Sequence, residues 1–375
     1  MTRIAVLGAS TTGVALAQAC RAAGYDIALI EPDAGAAERA AHFLGKTASP
    51  LTVDTSTGAL ATADLILETL DEAEERAALY AEMPRNTVVA STRADGLADL
   101  ATDPTCALGL TVFTPMHLRS LTEIMPLAET GAAAQEALST LLHRLGRVAV
   151  VIPPGHPSIG LRLLDRFQEA ADTLLMDGAI LWEIDEAMVA FGFDLGLYEA
   201  QDLAGLDTAY ARRKATPRDP ARRYIPIADR AVQEGRLGQK IGWGWYRYPG
   251  GGGAVIDPLI EDLVREEAWF AKAPQREFEA DEIQRRLTLA LINEASAILG
   301  DTPGMDAPMM DRISVTGLGF PKVKGGVLSY ADTLGVAKVL PALQELSEED
   351  PIAWAPAPLI LQAAQSGSRL SEIGR

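Results

Sequence analysis

A short stretch of this 375-residue sequence, Gly109 to Pro126 ("GLTVFTPMHLRSLTEIMP"), carries the residue types of an acid–base site. It holds one histidine, His117, and one glutamate, Glu123, in a largely apolar frame. A histidine suits a general base because its ordinary pKa lies near neutral pH, and a carboxylate can stabilise its charged form. The stretch therefore indicates proton-transfer chemistry, with His117 and Glu123 as the first candidates.

A turn near the N-terminus has the residues of a nucleotide site. It lies between a short apolar segment, Arg3–Leu7, and an alanine-rich segment that we expect to be helical, Val14–Ala23. Gly8 permits the tight turn, and Gly13 lets the helix pack closely on the strand. The helix start offers N–H groups and a positive dipole end to a pyrophosphate. The predicted cofactor-binding residues here are Gly8, Ser10, Thr11, Thr12 and Gly13.

An acid follows this turn at the spacing that a dinucleotide site needs. Glu31 ends the next apolar segment, Ile27–Ile30, and lies 18 positions after Gly13 (31 minus 13). We expect Glu31 to accept ribose hydroxyls and to repel a 2′-phosphate, which favours NAD over NADP. Ser10 stands where the GxGxxG pattern has its middle glycine. Its side chain narrows the approach to the pyrophosphate, although its hydroxyl could bind a phosphate.

The elements around these residues predict a Rossmann fold. Apolar segments alternate with helical ones over the first 155 residues, which is typical of a doubly wound, mainly parallel sheet. Glu68 and Ser91 fall at the ends of two predicted strands, where such sheets bind ligands. We therefore add both to the cofactor-binding residues. The further predicted strands lie in "LTVD", "ADLILETL", "NTVVAST", "CALGLTVFTP" and "GRVAVVIPP".

The rest of the chain has a helical pattern that occurs twice. Long helices are expected over Ile159–Trp182 and Asp281–Leu299, and a glycine run after residue 249 is expected to be a flexible linker. The predicted class is α/β, a Rossmann domain (1–155) followed by two all-α domains (156–275 and 276–375). The matched positions are Glu169-Ala170 with Glu294-Ala295, Ile184-Asp185 with Met305-Asp306, and Asp202–Gly205 with Asp332–Gly335.

Composition excludes several classes of protein. The net charge is −18 and no stripe of five or more basic residues occurs, so nucleic-acid binding is not expected. No apolar run reaches the length of a membrane-spanning helix, and no cleavable leader is recognisable. The two cysteines, Cys20 and Cys106, form no CxxC pair, and no segment has metal-ligand spacing. We expect a cytoplasmic protein without a bound metal.

Four segments resemble the L-3-hydroxyacyl-CoA dehydrogenase family, besides the N-terminal turn. They are "ADLILETLDE", "GLTVFTPMHLRSLTE", "GRLGQKIGWGWYRY" and "FPKVKGGVLSYADTLG". The chain is most similar to the dehydrogenase half of multifunctional β-oxidation enzymes, which has tandem helical C-terminal domains. The resemblance implies NAD as cofactor and a 3-hydroxyacyl-CoA thioester as substrate. It also implies a histidine base, a glutamate that orients it, and a serine and an asparagine at the reacting oxygen.

Position by position, the resemblance places the base at Thr111 and retains the glutamate as Glu123. His117 falls where many multifunctional members have a histidine that is not catalytic. A threonine hydroxyl is far too weak an acid to shuttle a proton near neutral pH. The loss of a general base typically costs about 10²–10⁴ in rate.

The other family positions differ as well. The serine corresponds to Arg93 or Ala94, and the asparagine to Leu161. Glu68 and Glu72 match family acids near the nicotinamide, but the lysine usual a few residues later is absent. The site thus keeps its glutamate and loses three other polar groups.

Three functions remain open from the sequence. The first is an NAD-dependent dehydrogenase with an altered site, in which His117, Glu123, water or the loop residue His156 moves the proton. The second is a homologue that binds a nucleotide or acyl-CoA without redox turnover. The third is different chemistry on the same fold. The expected partner is a small acyl-CoA-like substrate; the chain is expected to be a monomer or homodimer, and a separate hydratase would be needed for β-oxidation.

Overall fold

The computed structural model describes residues 3–45, 51–70, 73–216 and 219–372. The chain forms two compact units, Met1–Ile159 and Gly160–Arg375. Glu72 lies outside the described residues. Within those residues, no helix is both long enough and apolar enough to cross a membrane.

In the described residues of the first unit, eight strands form a sheet in the order β3-β2-β1-β4-β5-β6-β7-β8. Its strands are β1 (Arg3–Leu7), β2 (Asp26–Ile30), β3 (Leu51–Asp54), β4 (Leu65–Glu68), β5 (Val88–Ser91), β6 (Ala107–Val112), β7 (Leu121–Pro126) and β8 (Val148–Val151). Its helices are α1 (Thr11–Ala22), α2 (Ala34–Leu44), α3 (Ala73–Glu82), α4 (Leu97–Leu100) and α5 (Ala132–Arg144). The predicted Rossmann class is confirmed.

The central strands are apolar on both faces because helices cover the sheet from both sides. In β1, Ile4 and Val6 pack in one core cluster with Leu16 of α1, whereas Ala5 and Leu7 pack in the opposite cluster. A strand buried in this way shows a nearly continuous apolar run, not an alternating one. The order of β1, β4 and β5 brings their carboxyl ends, and the loops that follow, to one edge of the sheet.

Strand β7 was not among the predicted strands, and it reverses the chain direction. It pairs antiparallel with β6 and parallel with β8, whereas the other neighbouring pairs of the sheet are parallel. A tight connection of eight residues, 113–120, joins β6 to β7. Such a short connection is compatible only with antiparallel neighbours, since a parallel crossover needs a dozen residues or more.

The second unit is helical. Its helices are α6 (Ile159–Met176, which starts at the last residue of the first unit), α7 (Leu181–Phe191), α8 (Leu197–Ala204), α9 (Leu206–Ala215), α10 (Ile227–Gln233), α11 (Pro258–Phe270), α12 (Ala280–Asp301), α13 (Ala307–Ile313), α14 (Val327–Leu334), α15 (Val336–Ser347) and α16 (Pro358–Ser366). The division of this unit into two domains near residue 275 stays a prediction.

Two local features differ from the sequence-based expectations. The helix expected over Ile159–Trp182 is interrupted, because Gly178 has a φ of 112° and the Ala179 N–H bonds back to the carbonyl of Leu174 (2.9 Å). This is a glycine helix ending. The glycine run forms a turn between Arg247 and Val255, whose backbones exchange two hydrogen bonds of 2.9 Å.

In two places of the second unit, an aspartate holds the start of the following helix in the same way. Asp185 on α7 accepts the first N–H groups of α8 (2.8 and 3.0 Å). Asp311 on α13 does the same for α14, at 2.7 Å for the shortest contact. Asp306, which the sequence matched to Asp185, instead caps α13 by accepting the Met309 N–H (2.8 Å). The structural counterpart of Asp185 is therefore Asp311.

Candidate active site

The predicted nucleotide turn connects β1 to α1 in a tightly packed form. Gly8 has a φ of 91°, a conformation that glycine adopts without strain. A Cβ atom on Gly13 would lie 2.1 Å from the carbonyl oxygen of Gly8, so only glycine fits there. The backbone thus requires glycine at both positions where the fingerprint places it.

Ser10 is the N-cap of α1. Its Oγ accepts the N–H of Gly13 (3.1 Å) and donates to Oγ1 of Thr69 (3.1 Å). Thr11 and Thr12 belong to the first helical turn, where backbone N–H groups have no intrahelical acceptor. These N–H groups are the donors that a pyrophosphate needs.

Glu31 lies beside this turn and is largely buried, with 9% of its surface exposed. Its carboxylate accepts the N–H of Ala9 (2.6 Å) and the N–H of Asp33 (3.0 Å), one on each oxygen. A carboxylate oxygen has a second lone pair, so Glu31 can still accept a ribose hydroxyl. The glycine turn, the helix start and Glu31 together fit an adenine dinucleotide.

Glu68 and Ser91 are adjacent at the carboxyl ends of β4 and β5, as predicted, but both are fully buried. The Glu68 carboxylate accepts the Leu70 N–H (2.7 Å) and the hydroxyls of Ser91 (2.5 Å) and Tyr80 (3.2 Å). Burial and the negative charge of Glu68 raise the pKa of Tyr80 well above its usual range. The structure thus places Glu68 and Ser91 within an internal network.

Arg76 completes this network and was not recognised from the sequence. Its side chain is buried, and its Nε lies 3.1 Å from Oε2 of Glu68. Its Nη2 donates to Oγ of Ser91 (3.2 Å) and to the carbonyl of Arg93 (2.8 Å). Arg76 thereby ties α3 to the loop after β5. A sequence signal for it exists only in retrospect, since a single arginine in an acidic helix is typical of a solvated surface.

Thr111 and Glu123 are brought together by the β6–β7 pair, in which they lie directly opposite each other. Glu123 is fully buried and accepts a short hydrogen bond from the hydroxyl of Ser158. The Thr111 hydroxyl is 3.8 Å from the sulfur of Met125. Ser158 is a functional candidate that sequence reasoning missed, because 35 residues separate it from Glu123.

Unlike Thr111, His117 does not lie on a strand opposite Glu123. It lies exposed in the connection between β6 and β7. Arg147 holds this connection: all five guanidinium N–H groups are used, one on the Thr122 hydroxyl (3.0 Å) and four on backbone carbonyls at 2.6–3.3 Å. Burial lowers the pKa of Arg147 to about 10, which leaves it charged at neutral pH.

The remaining candidates lie in loops or in the second unit. Arg93 is exposed, and its backbone is held at both ends by Ser91 (3.0 and 2.9 Å). Ala94 packs against Gly109, where a Cβ would meet the Ala94 methyl at 3.0 Å. His156 is half-buried in the loop after β8, and Leu161 lies on α6. No group of three or more potential metal ligands occurs among the described residues.

Comparisons with a protein-family model, curated proteins and solved structures show what this chain is similar to. Residues 159–248 match the family model described as "3-hydroxyacyl-CoA dehydrogenase, C-terminal domain". The peroxisomal bifunctional enzyme of Danio rerio is 34% identical over 291 residues, which cover 73% of this chain. The match covers 40% of that relative, so the chain spans less than half the length of this curated relative.

Two solved structures share the fold. The crystal structure of 3-hydroxybutyryl-CoA dehydrogenase from Escherichia coli K12 has a TM-score of 0.73 at 20% identity and covers 98% of this chain and 99% of that one. The dehydrogenase part of multifunctional enzyme 1 from C. elegans has a TM-score of 0.68 at 19% identity, with 96% and 89% covered. The resemblance expected from the sequence is confirmed.

Proposed function

Because the chain belongs to the 3-hydroxyacyl-CoA dehydrogenase family, we propose that it is an NAD-dependent oxidoreductase with an altered active site. It transfers hydride between NAD and the 3-hydroxy or 3-keto carbon of an acyl-CoA or a related hydroxy compound. Members of the family are NAD-dependent. The observation that carries the proposal is the turn with Gly8 and Gly13 in the required positions and Glu31 beside it.

In this mechanism NAD supplies the hydride acceptor, and the chain supplies binding and orientation. The N–H groups at the start of α1 receive the pyrophosphate, and Glu31 accepts a ribose hydroxyl. At the position of the usual base, Thr111 cannot take a proton near neutral pH. Glu123 is fully buried and bonded to Ser158, so it is withdrawn from solvent. We infer that solvent water carries the proton and that turnover is slow.

The same buried carboxylate favours a second candidate, a homologue that binds nucleotide or acyl-CoA without turnover. Both candidates are tested by following NADH absorbance with acetoacetyl-CoA and a panel of 3-ketoacyl-CoAs, together with calorimetry of NAD, NADH and CoA esters. Slow oxidation of NADH supports the oxidoreductase. Binding of a nucleotide or an acyl-CoA with flat absorbance traces supports the second candidate. Absence of nucleotide binding contradicts the oxidoreductase, and absence of binding by any of these ligands contradicts both candidates. A separate hydratase partner would be sought only if turnover is found.

A further inference from the structure

The hydroxyl of Thr69 is enclosed by the nucleotide turn. Thr69 follows β4, is 4% exposed, and donates through Oγ1 to the carbonyl of Leu7 (2.9 Å) or Gly8 (3.1 Å). A Cβ atom on Gly8 would lie 2.9 Å from this Oγ1, and one on Gly13 would lie 2.6 Å from it. Both turn glycines therefore close around one buried hydroxyl.

Ser10 extends this contact into the helix. Its Oγ donates to Oγ1 of Thr69 and accepts the N–H of Gly13, both at 3.1 Å. A continuous line of hydrogen bonds thus runs from the first turn of α1 through two hydroxyls to the end of β1. One donor of the helix start, the Gly13 N–H, is used inside the turn, and the N–H groups of Thr11 and Thr12 remain in the first turn.

On the opposite side, Glu31 fastens the same turn by accepting the N–H of Ala9 (2.6 Å). The turn is therefore held from β2 on one side and from the loop after β4 on the other. A binding loop that is already ordered loses less conformational entropy when its ligand arrives. A glycine at position 10 would remove the hydroxyl and also enlarge the conformational freedom of the turn.

We propose that Ser10 and Thr69 form a hydroxyl pair that holds this turn in its pyrophosphate-binding conformation. Glycine at position 10, the residue of the usual fingerprint, then weakens nucleotide binding where the fingerprint alone predicts an improvement. The proposal rests on the proposed NAD dependence of this chain. It assigns Thr69, a residue outside the fingerprint, to the positioning of the cofactor.

The test is calorimetry with NAD and with ADP-ribose, which carries the pyrophosphate without the nicotinamide. Ser10→Gly, Ser10→Ala and Thr69→Ala are each expected to weaken the binding of both ligands about 5–10-fold, the effect of losing one hydroxyl hydrogen bond. Thr69→Ser keeps the hydroxyl and is expected to stay within about twofold of the unaltered protein. The double variant Ser10→Ala/Thr69→Ala is expected to bind both ligands about as tightly as the more impaired of the two single variants, because the two groups act together.

Two controls separate positioning from general loss of stability. Asp306→Ala removes a helix cap of the same kind in the second unit and is expected to leave nucleotide affinity unchanged. Adenosine, which has no phosphate, is expected to bind the unaltered protein and Ser10→Gly with equal affinity. Thermal melts of every variant show whether the fold is intact, and Thr69→Ser supplies a well-packed variant at the buried position.

The outcomes of this experiment distinguish failure of the Ser10–Thr69 proposal from failure of the proposed NAD dependence. If NAD binds the unaltered protein and Ser10→Gly binds it as tightly or more tightly, the hydroxyl pair is overturned and the NAD site stands. Equal losses for adenosine and ADP-ribose also overturn it, since the effect is then not on the pyrophosphate. If neither NAD nor ADP-ribose binds the unaltered protein, the proposed function fails, and the pair fails with it.

Discussion

Thr111 on β6 is the direct cross-strand partner of Glu123 on β7. The Cβ atoms of such a pair lie about 4.5–5.5 Å apart on the same face of the sheet, so a longer side chain at position 111 would reach the carboxylate. Threonine does not reach it in this structure, where the carboxylate accepts the Ser158 hydroxyl and the Thr111 hydroxyl lies near the sulfur of Met125. The two strand positions of an acid–base pair are present, but position 111 holds a threonine that cannot act as a base.

Thr111→His is expected to increase NADH-dependent reduction of acetoacetyl-CoA by at least about 10-fold. The gain should fall short of the full 10²–10⁴ or so that a general base contributes, because the serine and asparagine positions remain altered. The rate is measured across pH 5–9, and a dependence with an apparent pKa of about 6.5 would mark histidine as the new base. Thr111→Asn, similar in shape but not titratable, serves as the control. An equal gain in Thr111→Asn would contradict a base at this position.

Arg76→Met is expected to lower the free energy of unfolding by about 3–5 kcal/mol, because it leaves the buried Glu68 carboxylate without its charged partner. Urea unfolding measures this change. The double variant Glu68→Gln/Arg76→Met removes both charges and is expected to recover much of the loss. If Arg76→Met alone is within about 0.5 kcal/mol of the unaltered protein, the pair is not a buried ion pair in solution.

Gly13→Ala is expected to disrupt the nucleotide turn, since the added methyl would meet the Gly8 carbonyl at 2.1 Å. We expect a loss of about 1–3 kcal/mol in unfolding free energy and the loss of measurable NAD binding. Gly58→Ala is the matched control, because a Cβ there meets nothing within 4 Å. Thermal melts and calorimetry report the two effects. Normal NAD affinity in Gly13→Ala would show that the turn does not carry the cofactor.

Asp172 makes the second unit sensitive to pH. Burial raises the pKa of Asp172 to about 7. The charge of nearby Arg213 and a hydrogen bond from the Tyr198 hydroxyl to Oδ1 of Asp172 (3.1 Å) act in the opposite direction. Two neighbouring acids raise the pKa further. The folded state binds this proton more tightly than the unfolded state, in which aspartates have a pKa of about 3.9. The contribution to stability is therefore complete below about pH 4 and is lost as the pH rises to about 7.

Asp172→Asn keeps an acceptor for Tyr198 and removes the titration. At pH 7.5 this variant is expected to be more stable than the unaltered protein by roughly 1–4 kcal/mol, with a smaller decline between pH 4 and 7. Urea unfolding at several pH values measures both quantities. Asp194→Asn, at an exposed position, should leave the pH profile unchanged. Parallel pH profiles for Asp172→Asn and the unaltered protein would contradict the assignment.

The sequence predicted the elements that local patterns encode. The strand–turn–helix–strand unit was expected from glycine positions and apolar runs, because the same residues determine the turn and its packing. Strand β7 was missed because "LTEIMP" is short and carries a glutamate, and its strand geometry depends on pairing with β6 and β8. The end of α6 at Met176, just before Gly178, was missed because apolar residues continue beyond the glycine with Ile180, Leu181 and Trp182.

For the candidate site, the sequence predicted which positions are involved better than it predicted their side-chain contacts. Thr111 and Glu123 were identified by resemblance, and their pairing follows from β7, which the sequence did not reveal. The contacts from Ser158 to Glu123 and from Arg76 to Glu68 depend on which way a side chain turns once the backbone is folded. Serine and arginine are common on surfaces, so neither residue type announces burial in a polar network.

Arg147 holds the β6–β7 connection by hydrogen bonds, and this has a consequence for which residues of the connection can be replaced. Four of its five hydrogen bonds go to main-chain carbonyls, of Phe113, Met116, Arg119 and Leu121. A contact with a carbonyl does not depend on the identity of the residue that bears it. The course of this connection is thus specified largely by one arginine more than twenty residues away. Its exposed side chains, His117 and Leu118, can therefore be replaced while the loop keeps its shape.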